Sequence, residues 1–176
     1  TRDNNGPYHL NNVVTLTAEA ILLLAHFIAG PENQLAVVAV LATVGSRSVM
    51  EAARPTYSPI FFFGPPGSGK SHLAWAVASA WKACFPREPA VGTTAAEFAQ
   101  ELADALDAQT VDDFRSVYRR ASLLVVEDVE QLENKAAAQQ ELADTMDILV
   151  DAGGRVILTS SMGPLELKGL NPRLQG

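Results

Sequence analysis

The amino-acid sequence predicts an α/β fold in which a parallel sheet is covered by helices on both faces. Four short β-like runs, at 60–63, 90–92, 123–127 and 156–159, alternate with helical patterns, as is typical of such sheets. In addition, a glycine-rich loop joins the first run directly to a helix. With 176 residues, of which 48% are hydrophobic, the chain is long enough for one compact core. It is too short for two well-developed domains.

The chain begins with a polar, turn-rich segment without apolar periodicity, residues 1–12, which predicts a flexible lead-in to a domain over 13–176. Two apolar stretches follow, at 20–29 and 35–44. Each is about half the ~20 residues that a helix needs to cross a bilayer. A polar segment, 30–34, separates them. We therefore predict buried amphipathic helices and no membrane-spanning segment.

Charge and cysteine content restrict the partners and the compartment. The only cysteine, Cys84, cannot form an internal disulfide, which fits a reducing cytoplasm. The net charge of −7 has the wrong sign for a domain that binds DNA by phosphate neutralisation alone. Any contact with nucleic acid is therefore expected to be local.

The loop at 64–71 has the sequence GPPGSGKS, which matches the phosphate-binding pattern GxxxxGK[ST] between a strand and a helix. Its glycines let the backbone curl so that successive N–H groups point at a phosphate, beside the positive end of the helix. Lys70 would reach the β- and γ-phosphates, and Ser71 would offer Mg²⁺ a hard oxygen ligand. A functionless glycine- and proline-rich turn fits this context poorly. The residues expected to bind a nucleotide here are Gly64, Gly67, Ser68, Gly69, Lys70, Ser71 and His72.

Two further signals set element boundaries downstream. Thr94 and Glu97 form a capping-box pattern that predicts the start of a helix over 95–106. Apolar residues recur at helical spacing between 142 and 150, and Gly153 and the glycine after it end that helix before the last strand.

The run SLLVVED at 122–128 predicts a buried strand whose tip carries two carboxylates. This is a Walker B pattern, in which Glu127 would hold Mg²⁺ and Asp128 would orient or deprotonate the attacking water. An acidic helix N-cap is the alternative, but the phosphate loop upstream favours the catalytic interpretation. The last strand ends in three hydroxyl residues, 159–161. Ser161 there is either a polar sensor of the γ-phosphate or part of a turn.

Together these segments resemble the AAA+ ATPase domain of the bacterial DnaA replication initiators, over about residues 26–176. The segments that carry the resemblance are 27–36, 57–64, 69–73, 96–98, 112–115, 118–119, 123–128, 152–153 and 157–160.

The resemblance implies a P-loop NTPase of AAA+ type with strand order 1-4-3-2. It also implies binding of ATP or ADP with Mg²⁺, self-association on origin DNA, and slow hydrolysis that resets the assembly. Phe27, Ile28 and Asn33 would line the adenine pocket. Because the family continues to a fifth strand, a helical lid and a helix-turn-helix domain, we expect a C-terminally truncated domain in which strand 60–63 lies at an open edge.

The sequence departs from the family at three places. Glu127 stands where the family usually has aspartate, and Ser161 stands where an aspartate is common. We therefore expect ATP binding to be retained and ATP hydrolysis to be slowed. Lys135 matches a basic family position, but Ala137 replaces a second one. With an acidic first half of the segment 97–120, direct binding of single-stranded DNA is expected to be weak.

These features leave two main functions. The first is a nucleotide-switch ATPase of the replication-initiator class. The second is a hydrolysis-poor nucleotide-binding module that regulates an initiator. A small P-loop kinase is less consistent with the sequence, which has no arginine-rich segment to bind a phosphate acceptor.

Overall fold

The computed structural model describes residues 58–175. The predicted lead-in, both apolar stretches and the adenine-wall residues Phe27, Ile28 and Asn33 lie outside this range. Within it, no helix is both long enough and apolar enough to cross a membrane.

The described part is a parallel four-stranded sheet with helices on both faces, and this confirms the predicted fold class. The strand order is β1-β4-β3-β2, as the resemblance implies. The strands are β1 (Ile60–Phe63), β2 (Ala90–Thr94), β3 (Leu123–Glu127) and β4 (Arg155–Ser160), and the helices are α1 (Lys70–Cys84), α2 (Ala95–Asp107), α3 (Val111–Arg119) and α4 (Ala136–Asp151). Short 3₁₀ helices cover Val129–Leu132, Pro164–Glu166 and Pro172–Leu174.

Side-chain alternation along β3 and β4 divides the core into two layers. Leu123 and Val125 pack with Ile157 in the layer beneath α1. Their neighbours along the same strands, including Leu124 and Leu158, pack beneath α2, α3 and α4. All residues of β3 and β4 are buried, as expected for central strands of a sheet that is covered on both sides. Such a rigid centre can hold side chains at the strand tips in fixed positions.

Local sequence signals account for the ends of the helices. The Thr94 side chain accepts a hydrogen bond from the Glu97 backbone N–H, and the Glu97 carboxylate accepts one from the Thr94 N–H, so the predicted capping box is confirmed. After α4, Gly153 adopts a φ of 83°, a conformation that costs glycine little. The chain then turns directly into β4, again as predicted.

An ion-pair cluster joins α3 to α4. Glu141 is buried, and its carboxylate accepts hydrogen bonds from Arg115 Nη2 at 2.8 Å and from Arg119 Nη2 at 2.7 Å. The hydrogen bond from Arg115, together with Arg119, lowers the pKa of Glu141 by more than burial raises it, so the pKa lies below its usual range. A second, exposed cluster joins Arg173 to Asp144 on α4 at 2.8 Å.

We predict that Glu141→Gln lowers the free energy of unfolding at neutral pH by about 2 kcal/mol. The substitution keeps the size of the side chain but leaves two arginines without their buried counter-charge. Chemical denaturation followed by circular dichroism measures the loss. The matched control is Asp144→Asn, which removes an exposed pair and should cost less than about 1 kcal/mol.

The same pair predicts a pH dependence. Because the pKa of Glu141 is lowered on folding, its contribution is present above its ordinary value of 4.5 and is lost as the pH falls below it. The stability difference between the wild-type protein and Glu141→Gln should therefore shrink between neutral and acidic pH. A difference that does not change with pH would contradict this assignment.

Candidate nucleotide-binding site

All four strands are parallel, so their carboxyl ends meet at one edge of the sheet, where ligands of open α/β sheets bind. The loop after β1, the tip of β3 and the end of β4 lie together at this edge. The backbone N–H of Gly64 donates to the Ser160 carbonyl at 3.2 Å, which fixes the start of the glycine-rich loop to β4. The loop and the carboxylates, about 60 positions apart in the sequence, therefore share one site.

The glycine-rich loop has the backbone that a phosphate cradle requires. Gly64, Gly67 and Gly69 have φ values of 151°, 81° and 89°, in a region that residues with a Cβ rarely adopt. Gly69 is the N-cap of α1, whose first turn has no side-chain cap and no acidic residue. The first N–H groups of α1 are thus not satisfied by a capping side chain, and Ser68 and Ser71 beside them are exposed. This arrangement fits an anion at the helix N-terminus.

Lys70 lies in the first turn of α1 and reaches back over the loop. Its ammonium donates to the Gly64 carbonyl at 2.7 Å and to the Pro65 carbonyl at 3.1 Å. These contacts hold the charge at the loop, close enough to the end of β3 for the ammonium to lower the pKa of Asp128. His72, which the sequence also predicts to contact the nucleotide, is exposed in the same turn.

Glu127 is the last residue of β3 and is buried despite its charge, with 7% of its surface exposed. Its Oε2 accepts a hydrogen bond from the indole Nε1 of Trp75, on α1, at 2.7 Å. Its Oε1 is shielded from solvent and has no hydrogen-bond partner within residues 58–175. One carboxylate oxygen is therefore held in place while the other has no donor or cation in the described chain.

Asp128 directly follows β3 in a left-handed conformation, with a φ of 55°. Its backbone N–H donates to Thr159 Oγ1 of β4 at 3.1 Å. Burial raises the pKa of Asp128, and the carboxylates of Glu130 and Glu127 raise it further, whereas the Lys70 ammonium lowers it. The side chain thus lies in a field that favours its accepting a proton.

Ser161 follows β4 and contacts a carboxylate that the sequence analysis does not single out. Its backbone N–H and its hydroxyl both donate to Glu130 Oε1, at 3.0 and 2.5 Å. Burial raises the pKa of Glu130, but the hydrogen bonds from Ser161, together with smaller contributions from the Glu130 backbone and Ser160, hold the pKa below its usual range. Ser161 therefore lies at the carboxylate edge, where its hydroxyl is engaged by Glu130.

The structure brings together the predicted residues of the loop, of β3 and of β4 and adds three that sequence reasoning missed. Glu130 lies in a 3₁₀ helix, and in the sequence nothing distinguishes it from an ordinary solvent-exposed acidic residue of a turn. Trp75 followed the helical pattern of α1, with nothing to pair it with a residue 52 positions later. Gly92, in the middle of β2, lies against the Trp75 ring. Only the packing of α1 across β2 and β3 reveals the last two.

The chemistry of the donors fits Mg²⁺. Ser71 and Glu127 offer oxygen ligands, and a buried carboxylate oxygen without a partner is costly unless a cation or donor lies beside it. The described residues contain no group of three or more His, Cys, Asp or Glu side chains that could hold a metal. Few protein ligands are expected for this ion, which takes most of its ligands from water and phosphates in nucleotide sites.

Comparison with known proteins places the whole arrangement in one family. The model of the bacterial DnaA ATPase domain matches residues 20–176. Two solved structures are each 31% identical to this chain, and each match covers 86% of this chain and 45% of the other chain. One is a replication initiator DnaA bound to AMPPCP and single-stranded DNA, with a TM-score of 0.75. The other is AMPPCP-bound DnaA from Aquifex aeolicus, with a TM-score of 0.74. Domain III of Thermotoga maritima DnaA is 27% identical, with a TM-score of 0.75, and covers 86% of this chain and 60% of its own. The chain thus spans less than half the length of the first two.

Proposed function

The chain belongs to the bacterial DnaA ATPase domain family, and we propose that it is the ATP-binding switch domain of a replication initiator. It binds ATP or ADP with Mg²⁺. In the full-length protein it self-associates through AAA+ surfaces in the cytoplasm and hydrolyses ATP slowly with the help of a neighbouring subunit. The observation that carries this proposal is the uncapped N-terminus of α1 behind the glycine-rich loop, at the same sheet edge as Glu127 and Asp128. The AMPPCP-bound relatives support it.

Each residue at the edge has a distinct part in this function. The loop N–H groups and Lys70 bind the phosphates, and Ser71 and Glu127 hold Mg²⁺, which when bound neutralises charge that develops on the phosphates. Asp128 orients the attacking water and accepts its proton. Ser161, whose hydroxyl donates to Glu130 in this structure, would sense the terminal phosphate by transferring that hydrogen bond to it. Phe27, Ile28 and Asn33 would line the pocket for the adenine.

A second candidate function is a nucleotide-binding module with little turnover. The contact between Ser161 and Glu130 favours it, because the only hydroxyl proton of Ser161 is donated to Glu130. Glutamate at position 127 also places its carboxylate about 1.5 Å further from the backbone than aspartate would, and a misplacement of 1 Å can cost about 100-fold in rate.

We predict that Lys70→Ala lowers the affinity for ATP and ADP by about 100-fold or more while the protein stays folded. The substitution removes the ammonium that compensates the phosphate charge, and the residue makes no core contact. Equilibrium titration with a fluorescent ATP analogue measures the affinity. Lys82→Ala, in the last turn of the same helix, is the control and should bind like the wild type. Equal affinities of all three proteins would remove the phosphate-loop assignment.

Single-turnover ATP hydrolysis by the full-length protein, which can supply neighbouring subunits, separates the two candidate functions. The switch requires the wild-type full-length protein to convert bound ATP to ADP slowly, at a rate that Asp128→Asn reduces further. The module requires no measurable conversion by the wild type. If the length of Glu127 is the cause, Glu127→Asp should then raise the rate by about 10-fold or more.

Origin DNA is a proposed partner of the assembled protein, but this chain offers few cations to a strand. Arg115 and Arg119, two of the basic residues between the glycine-rich loop and β3, are bonded to Glu141. Lys135 lines a groove of about 380 Å³ between α2 and the start of α4, otherwise built mainly from alanine and leucine side chains. Ala137 lines the same groove.

We predict that ATP-loaded chain binds a short single-stranded oligonucleotide weakly, with a log–log salt slope no steeper than about −1.5. Each phosphate contact on a single strand contributes about 0.7 to the slope, and Lys135 with one neighbour supplies one or two. Fluorescence anisotropy across a salt series measures the slope, with Lys135→Ala as the matched variant. A steep slope that survives this substitution would place the DNA path elsewhere.

A further inference from the structure

Trp75 occupies an unusual position for a tryptophan. Of its surface, 44% is exposed, whereas Trp81, later on the same helix, is only 4% exposed. Exposing a large aromatic ring gives up much of its hydrophobic stabilisation. What Trp75 gains is polar, since its indole N–H donates to Glu127 Oε2 at 2.7 Å.

Gly92 makes room for this ring. A Cβ at Gly92 would lie 2.7 Å from Trp75 Cη2 and 2.8 Å from Cζ3, which is closer than real Cβ contacts allow. The φ of Gly92 lies outside the left-handed region, so its backbone does not require glycine, and glycine inside a strand costs about 0.5–1 kcal/mol. The close approach of the ring is therefore the reason for a glycine in β2. The approach of Cη2 and Cζ3 to Gly92 and the hydrogen bond of Nε1 to Glu127 together fix the ring.

The consequence falls on Glu127. Glutamate has one more rotatable bond than aspartate, so its carboxylate needs a further constraint to stay in one position. The Trp75 donor supplies that constraint at Oε2, and Oε1 is the oxygen left without a partner in the described chain.

We propose that Trp75 is a positioning residue that holds Glu127 so that Oε1 faces the Mg²⁺ of the bound nucleotide, and that Gly92 admits its ring. This inference rests on the proposed function. Partners that orient a metal-binding side chain typically change metal affinity by about 10- to 100-fold when they are removed. Trp75 acts through Glu127 and does not itself touch the nucleotide.

The test compares nucleotide affinity of the full chain with Mg²⁺ and with EDTA, using a fluorescent ATP analogue. Trp75→Phe keeps an aromatic ring beside Gly92 but lacks the donor. We expect it to weaken binding with Mg²⁺ by about 10-fold and to leave binding in EDTA unchanged. Gly92→Ala, which pushes the ring from its place while the indole is kept, should have the same signature. Trp81→Phe is the matched control and should keep the wild-type Mg²⁺ effect.

A double-mutant cycle with Glu127→Ala distinguishes positioning from a general loss of packing. If Trp75 acts through Glu127, Trp75→Phe has no further effect on the Mg²⁺-dependent affinity once Glu127 is removed, whereas a packing role would persist. In the Trp81→Phe background, the remaining tryptophan fluorescence should also shift when Glu127→Ala removes the acceptor, without any nucleotide. A wild-type Mg²⁺ effect in Trp75→Phe, or additive effects in the cycle, would overturn this inference alone. A wild-type chain that binds no nucleotide would overturn the proposed function as well.

Discussion

The pairing of β4 with β1 on one side and with β3 on the other is the constraint on which the candidate site depends. The end of β4 receives the Gly64 N–H from the glycine-rich loop and, through Thr159, the Asp128 N–H from the tip of β3. Directly after β4, Ser161 holds Glu130. Because β4 is buried along its whole length, these contacts cannot shift independently. The glycine-rich loop and the carboxylates are therefore parts of one rigid edge.

This rigidity carries an electrostatic cost. Glu127, Asp128 and Glu130 lie close enough for the other two carboxylates to raise the pKa of Asp128, and Lys70 is the cation that lowers it. Like charges held together in a partly buried place destabilise one another unless donors or cations lie between them. Trp75 and Ser161 satisfy some of the oxygens, while Glu127 Oε1 and Glu130 Oε2 have no partner within residues 58–175. Such an edge favours the binding of a cation together with its anionic ligand, as a magnesium nucleotide provides.

Away from this edge, the charges of the chain serve the fold more than they serve a nucleic-acid partner. Arg115 and Arg119 bind the buried Glu141 of α4, and Arg173 binds exposed carboxylates of α4. The groove beside Lys135 is mostly apolar. In a chain with a net charge of −7, three of the described arginines are thus committed to carboxylates of α4.

The sequence by itself determined the elements and their chemistry. The local signals are the strand–loop–helix alternation, the capping box at Thr94 and the glycine stop at Gly153. Backbone conformation and hydrogen bonds between near neighbours set these signals. The fold class and the helix boundaries that they mark could therefore be predicted from the sequence. The glycine-rich loop and the carboxylates at 127–128 were likewise legible as motifs. Only the tertiary structure decided which side chains meet. Trp75 contacts Gly92 and Glu127, and Ser161 contacts Glu130, so these contacts join residues 17 to 52 positions apart. The packing of α1 on the sheet and the register of β4 beside β3 bring these residues together. No local sequence pattern encodes contacts over such separations.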